Sequence, residues 1–307
     1  MSLSRKTKKW LDKKCGISLK GKTVVVTGSN SGVGFKTAEV AVYLGADVIL
    51  ACRNAEKVAA ARDGILKDHP GASVRVMRLD LASFDSIESF AAELKEKNID
   101  VYAFVNNAGA FHRPGKKTED GLDLVIGTNY IGTYYLSKLL IPYLSSLPHV
   151  VYYINTVSVI VKIAKPIDYA DFYCEKKPRN LAVYARSKLC LEKYTYALSE
   201  KMKDKNVRVM MNHPGVSITP LGVNAYGKWV KRLSGLFKHL ANSPEKSSLS
   251  LPFILSHGMP DGSLAGPHII FDCFGYPKKN RLPNKAKTGA EELIRFTDNE
   301  IEKARSR

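Results

Sequence analysis

The chain has 307 residues, 45% of them hydrophobic and 25% charged, with a formal net charge of +18. This composition excludes a disordered or fibrous protein and suits one large α/β domain or two small ones, burying about three-quarters of the unfolded surface. No apolar run approaches the roughly 20 residues that cross a bilayer, and the start MSLSRKTKKWLDKKCG has no apolar core behind its basic residues, so neither a membrane helix nor a signal peptide is expected.

Five cysteines, at 15, 52, 174, 190 and 273, form no close pair, and no Cys/His group has zinc-ligand spacing. A reducing intracellular compartment, the cytoplasm, is therefore expected, and no structural metal. The positive charge suits an anionic small molecule. Nucleic acid and an anionic membrane are the competing partners, although no basic platform interleaved with aromatics supports a specific nucleic-acid contact.

In chain order, residues 1–20 form a basic arm and a single domain is expected over 21–307. KTVVVTG (22–28) reads as a buried strand, and VGFKTAEVAVYLGA as a helix ending near Gly45. DVILACR (47–53), SVRVMRLD (73–80) and VYAFVNNAG (101–109) are the next strands. Between them lie an Ala-rich helix to about Lys67 and the helix SFDSIESFAAELKEKN, with Asp85 and Glu88 as its start signal. A long helix through LVIGTNYIGTYYLSKLLIPYL precedes the strand HVVYYINT. A helix over about 180–205, the strand NVRVMMNHPG and a seventh strand HIIFDCFG follow. Thr288, three residues before Glu291, reads as a capping box opening a C-terminal helix over 287–306. Apolar strands alternating with helices call for a mostly parallel, seven-stranded sheet covered on both faces, the doubly wound Rossmann-type α/β architecture.

The first strand runs into TGSNSGVG, which sets Gly28, Gly32 and Gly34 in a strand-to-helix turn. Residues without Cβ let the backbone approach a pyrophosphate, and the helix start offers it free N–H groups. The spacing differs from the G-x-G-x-x-G fingerprint. At the end of the second strand an acid would bind the ribose 2′-OH of NAD, but here Cys52 and Arg53 stand there. A guanidinium can hold a 2′-phosphate by charge-assisted hydrogen bonds worth about 1.5–3 kcal/mol each, which favours NADP(H).

The TGSNSGVG loop, LDLAS with Asp80, NNAG (106–109), the set Asn129, Ser158, Tyr184 and Lys188, and HPGVSIT occur in the order seen in short-chain dehydrogenases/reductases. The chain resembles that family over residues 21 to about 221. Its ACRN, long Ser–Tyr interval and HPGVSITPL are most similar to the retinol dehydrogenase branch. The resemblance implies a dinucleotide held by Gly28, Ser29, Asn30, Ser31, Gly32, Val33 and Gly34, by Arg53, Asp80 and Leu81, and by Asn107, Ala108 and Gly109. It also implies contacts from Tyr184, Lys188, Pro214, Gly215, Val216 and Thr219. Asn129, Ser158, Tyr184 and Lys188 would be the catalytic residues.

The chemistry of that set is coherent. Tyr184 and Lys188 lie one helical turn apart on one face. A phenol ordinarily titrates near pH 10, and an ammonium about 4 Å away stabilises its anion by about 4 kcal/mol at an effective dielectric near 20. Ser158 would donate to the substrate oxygen, Tyr184 would exchange its proton with that oxygen, and by resemblance Asn129 would anchor a water relaying protons from Lys188. The expected activity is NADPH-dependent hydride transfer to an apolar ketone or aldehyde, or the reverse on an alcohol. The alternatives are a non-catalytic NADP(H)-sensing regulator on the same fold and a basic nucleic-acid-binding protein.

Two segments keep alternative readings. The residues between Ser158 and Tyr184 form either a wall of the substrate pocket, with Phe172 and Tyr173 as contacts, or a surface excursion packing on the protein's own body. Within a lid region over about 222–257, Trp229, Val230, Leu233, Phe237 and Leu240 recur at helical spacing opposite lysines. That helix would close on substrate, lie on an anionic membrane or pack on the core. His112 and Arg113, just after NNAG, belong either to a cleft wall or to a plain surface loop, and the loop reading is favoured. A homodimer through the long helices is the expected assembly if the chain pairs.

Overall fold

The computed structural model describes residues 2–217, 242–269 and 272–306. Thr219, most of the lid region and the centre of HIIFDCFG lie outside the described residues. Among the described residues, eight strands form one sheet in the order β3-β2-β1-β4-β5-β6-β7-β8. They are β1 (Thr23–Thr27), β2 (Asp47–Cys52), β3 (Val74–Arg78), β4 (Val101–Asn106), β5 (Val151–Thr156), β6 (Val207–Asn212), β7 (Leu264–Gly266) and β8 (Lys278–Asn280). The first seven are parallel, and β8 returns antiparallel to β7. The reversal of strand order between β1 and β4 opens the crevice at the carboxyl ends where a doubly wound sheet binds its ligand.

Successive residues of β1 and β2 alternate between two apolar clusters. Val25 and Ile49 belong to one, and Val24, Val26, Val48 and Leu50 to the other. Both faces of the strands are therefore core, which is why they read as unbroken apolar runs. Helices α2 (Gly32–Tyr43), α3 (Ala55–Asp68), α4 (Phe84–Glu96), α5 (Leu124–Ile126), α6 (Gly132–Ser146) and α7 (Asn180–Lys201) cover them. Among the described residues no helix is long and apolar enough to cross a membrane.

Several local expectations need correction. The basic arm contains a helix, α1 (Arg5–Lys14), capped by Ser4. It docks through Leu3 and Leu11 against Val40 and Leu249, with Trp10 stacked on Tyr276 at 5.5 Å. Helix α4 starts at Ser83, whose hydroxyl accepts from Ser86 N, rather than through Asp85 and Glu88. The seventh strand is Leu264–Gly266, not HIIFDCFG, and an eighth follows it. In that stretch Ile269 and Phe274 make an isolated antiparallel bridge, while the turn at Gly262 (φ +70°) leads directly into the β6 pairing.

The lid region as far as it is described holds two short helices, α8 (Pro244–Ser247) and α9 (Ser250–Ser256). The last helix, α10 (Ala290–Arg305), begins after Gly289 in a left-handed conformation, so Thr288 is not its cap. Helix α10 lies across α6 and α7. Tyr130 bonds Thr297 at 2.7 Å, and the Tyr134 hydroxyl donates to Asp298 at 2.7 Å.

Candidate functional site

A cleft of about 670 Å³ opens at the carboxyl end of the sheet. It is lined from Arg53 and Lys57 at one end, past the glycine loop, to Phe111, Ser158, Tyr184 and Leu181 at the other. The glycine loop is built against the turn after β4. Gly28 has φ +63°, and a Cβ there would lie 2.8 Å from Ala108 Cα. A Cβ on Gly34 would lie 2.3 Å from Asn107 Nδ2 and 2.6 Å from the Gly28 oxygen. Thr27 Oγ1 accepts from the backbone N–H groups of Asn107 and Ala108 at 3.0 and 2.9 Å, and Asn107 Nδ2 donates to Thr27 O at 3.0 Å. The glycines thus serve this internal docking, which leaves bare backbone and the start of α2 facing the cleft. That surface fits a pyrophosphate.

At the end of the cleft beside β2, Asp80 Oδ1 accepts from Ala82 N at 3.0 Å, and Arg53 Nε stands 3.7 Å from Asp80 Oδ2. The Arg53 side chain is 68% exposed, so it can swing to a ligand. Lys57, in the first turn of α3, also lines this end and escaped the sequence reading, as did Asn54, which caps that helix. Among the described residues that line the cleft, Asp80 is the one carboxylate.

At the other end, α7 sets Tyr184 and Lys188 on one face, and both line the cleft with Ser158. Lys188 is 4% exposed, and its ammonium donates to Thr156 O at 2.7 Å. Burial pulls its pKa from 10.5 down to about 8. The Ser158 hydroxyl accepts from Ile160 N at 3.4 Å, so its own proton is available to a ligand oxygen. The ring of Phe111 leans on that of Tyr184 at 5.2 Å.

Asn129 lies in a π turn (Gly127–Ile131) between α5 and α6. It is fully buried. Its amide donates to Ala110 O at 2.9 Å and Ser187 Oγ at 3.0 Å, and it accepts from Ala110 N at 2.6 Å. A Cβ on Gly109 would lie 3.3 Å from Asn129 Oδ1 and 3.7 Å from Lys188 Nζ, so the Asn129 amide and the ammonium meet under this glycine.

The expected cofactor residues Gly28, Asn30, Ser31, Gly32, Val33, Gly34, Arg53, Asp80, Leu81, Asn107, Ala108, Gly109, Pro214, Gly215 and Val216 all line the cleft. Ser29 does not. It is buried beneath the loop, its hydroxyl donating to Val26 O at 2.9 Å.

The segment after Ser158 corrects the pocket-wall reading in part. Its beginning, Val159 and Ile160, lines the cleft, as does Leu181 beyond it. Phe172 is instead buried against Phe296 of α10 at 4.6 Å, and the Tyr173 hydroxyl donates to Glu300 at 2.7 Å. Arg186 of α7 ties the middle down by donating to the carbonyls of Asp168, Asp171 and Phe172. His112 lines the cleft, which favours the cleft-wall reading for it, while Phe111 and Leu181 are cleft residues that no local sequence signal marks.

The short chain dehydrogenase family model matches residues 22–228. Human retinol dehydrogenase 13 is 37% identical over 234 residues, 74% of this chain and 70% of that protein. Mouse retinol dehydrogenase 14 is 35% identical over 213 residues, 66% of this chain and 63% of its own length. Human WW domain-containing oxidoreductase is 36% identical over 206 residues, 65% of this chain and 50% of its own. The chain thus spans about half to seven-tenths of the length of these relatives.

Among solved structures, an uncharacterized protein from Mycobacterium Paratuberculosis superposes with a TM-score of 0.74 at 25% identity, covering 93% of this chain and 95% of that one. Levodione reductase shares the fold with a TM-score of 0.66 at 19% identity, over 80% of this chain and 95% of its own. The motifs, the cleft and the family match agree, and the chain belongs to the short-chain dehydrogenase family as an oxidoreductase of the retinol-dehydrogenase-like branch.

Proposed function

We propose that the protein is an NADPH-dependent carbonyl reductase acting on a mostly apolar ketone or aldehyde, or on the corresponding alcohol in reverse. The observation that carries the reading is a buried ammonium one helical turn beyond Tyr184, fixed to the end of β5 and sharing one cleft with Ser158 and the glycine loop. A nicotinamide dinucleotide held along the glycine loop would supply or accept the hydride. Tyr184 exchanges the proton of the substrate oxygen, Ser158 donates a hydrogen bond to that oxygen as charge develops on it, and Lys188 stabilises the phenolate electrostatically. Asn129 acts as a positioning residue, holding Ala110 and Ser187 around this group.

Preference for NADPH rests on Arg53 and Lys57 at the adenosine end, where two cations suit a 2′-phosphate better than a bare ribose. The apolar substrate rests on Phe111, Val159, Ile160 and Leu181 around Tyr184, and on the retinol dehydrogenases among the relatives. A panel of carbonyls and alcohols run with NADPH/NADP and NADH/NAD, beside Tyr184→Phe, tests the reading. Turnover in the parent and its loss in the variant is the expected result. A panel with no turnover at all, or an equally active variant, overturns it.

A further inference from the structure

The dinucleotide accounts for Arg53 and Lys57 but not for a second group of cations at the opposite end of the cleft. The stretch 112–117 carries His112, Arg113, Lys116 and Lys117 with no acid, and 175–179 carries Lys176, Lys177 and Arg179 against Glu175 alone. The two loops face each other. Lys117 Nζ stands 3.3 Å from Glu175 Oε1 and 6.0 Å from the centre of the Tyr173 ring. Each loop adjoins a cleft residue, Arg113 next to the lining His112 and Arg179 two residues before the lining Leu181.

The acids nearby are committed elsewhere. Asp171 Oδ1 accepts from the backbone of Glu175 and Lys176 at 2.7 and 3.2 Å, and Asp168 Oδ1 from Ala170 N at 3.0 Å. With Lys117 and Glu175 paired, Arg113, Lys116, Lys176, Lys177 and Arg179 make no ion pair among the described residues. All five are exposed. Inward of them the walls turn apolar, with Phe111, Ile160 and Leu181, and among the described residues no carboxylate lines this half of the cleft.

We infer that the substrate is an apolar carbonyl compound bearing an anionic group, a carboxylate or a phosphate, which the facing 112–117 and 176–179 loops hold at the mouth while the carbonyl reaches Tyr184. This rests on the carbonyl-reductase reading of the same cleft and narrows its substrate class. A cationic rim raises the local concentration of an anion and orients it, while the apolar walls take the chain between the two ends.

The test uses the whole protein with saturating NADPH and two substrates that differ only in charge, ω-oxododecanoate and its methyl ester. The acid is expected to show a KM about 5- to 20-fold below that of the ester at low ionic strength, a gap that closes near about 0.5 M salt. Arg113→Ala combined with Arg179→Ala is expected to raise the KM of the acid about tenfold, leaving its kcat, the ester and the KM of NADPH unchanged.

Equal kcat/KM for acid and ester, or a double variant that shifts both alike, overturns the inference and leaves the reductase reading standing. Absence of turnover with every carbonyl overturns both. Salt-sensitive binding to phosphatidylserine vesicles that requires the same two arginines, with acid and ester reduced alike, assigns the rim to a lipid surface and overturns it as well.

Discussion

The Lys188 ammonium donates to the carbonyl of Thr156 at 2.7 Å, and this bond joins the helix carrying Tyr184 to the strand that ends two residues before Ser158. The charge is held where water does not reach it, so its function is bought with stability. Its folded-state pKa of about 8 lies below the ordinary 10.5. Between those values the unfolded chain keeps a proton that the folded chain has lost, so stability rises with pH across this window. At pH 7 the penalty is about 3 kcal/mol. Lys188→Met is therefore expected to lose at least about 100-fold in kcat/KM. Its Tm at pH 7 should match or exceed that of the parent, with the advantage shrinking from about pH 8 to about 10.5. Parallel Tm-against-pH curves for the two proteins would count against the buried charge.

A second buried group acts in the opposite sense. Glu192, one turn beyond Lys188, is 1% exposed, and desolvation raises its pKa from 4.5 to about 8. Here the folded chain holds a proton that the unfolded chain has released. The stability tied to that proton is complete below about pH 4.5 and is lost as pH rises to about 8. Glu192→Gln keeps the shape of the neutral carboxyl and removes the titration. Its Tm should exceed that of the parent by a margin that grows from pH 5 to pH 8, corresponding to at most about 5 kcal/mol. A margin that does not change with pH would show that the carboxyl is already ionised in the fold.

How much of this could be read beforehand depends on how local each cause is. The glycine loop and the Tyr184–Lys188 pair announce themselves because a turn type and one helical period fix them. The π turn carrying Asn129 does not. LVIGTNYIGT has the pattern of a continuous helix, and its special feature is set from outside: a Cβ on Gly132 would lie 2.1 Å from the carbonyl oxygen of Leu81. Phe172 and Tyr173 look like pocket residues by composition, but α10, more than a hundred residues later, buries one and binds the other. The same limit applies to the seventh strand. LAG and HIIFDCFG both suit an edge position, and the contact with β6 decides between them.

At the adenosine end the two cations should divide the work unequally. Arg53 is already drawn toward Asp80 at 3.7 Å, whereas Lys57 has no acidic partner among the described residues. Removing Arg53 frees Asp80 to repel a 2′-phosphate, so Arg53→Ala loses an attraction and gains a repulsion. It is expected to reduce the kcat/KM preference for NADPH over NADH by about 10- to 100-fold, and Lys57→Ala by about 3- to 10-fold. An Arg53→Ala protein with the parental preference would place the 2′-phosphate contact elsewhere.

The contact between Gly34 and Asn107 allows a sharper test of how the loop is held. Asn107 Nδ2 bonds Thr27 O at 3.0 Å, and a Cβ on Gly34 would meet that nitrogen at 2.3 Å. Gly34→Ala must therefore expel the amide, releasing the turn after β4 from the loop that faces the pyrophosphate. Loss of the part-buried hydrogen bonds from Asn107 Nδ2 to the Thr27 and Gly28 carbonyls, with the accompanying overpacking, predicts a destabilisation of about 2–4 kcal/mol. Nucleotide binding should weaken by at least about tenfold, since both halves of the cradle move. Asn107→Ala alone should show the weaker binding with less loss of stability. Adding it to Gly34→Ala should cost little more, because the amide has already left its place; the remaining clash with the Gly28 carbonyl, 2.6 Å from the new carbon, keeps the pair from full recovery. Simple addition of the two penalties would mean that the loop is held by something other than the Asn107 amide.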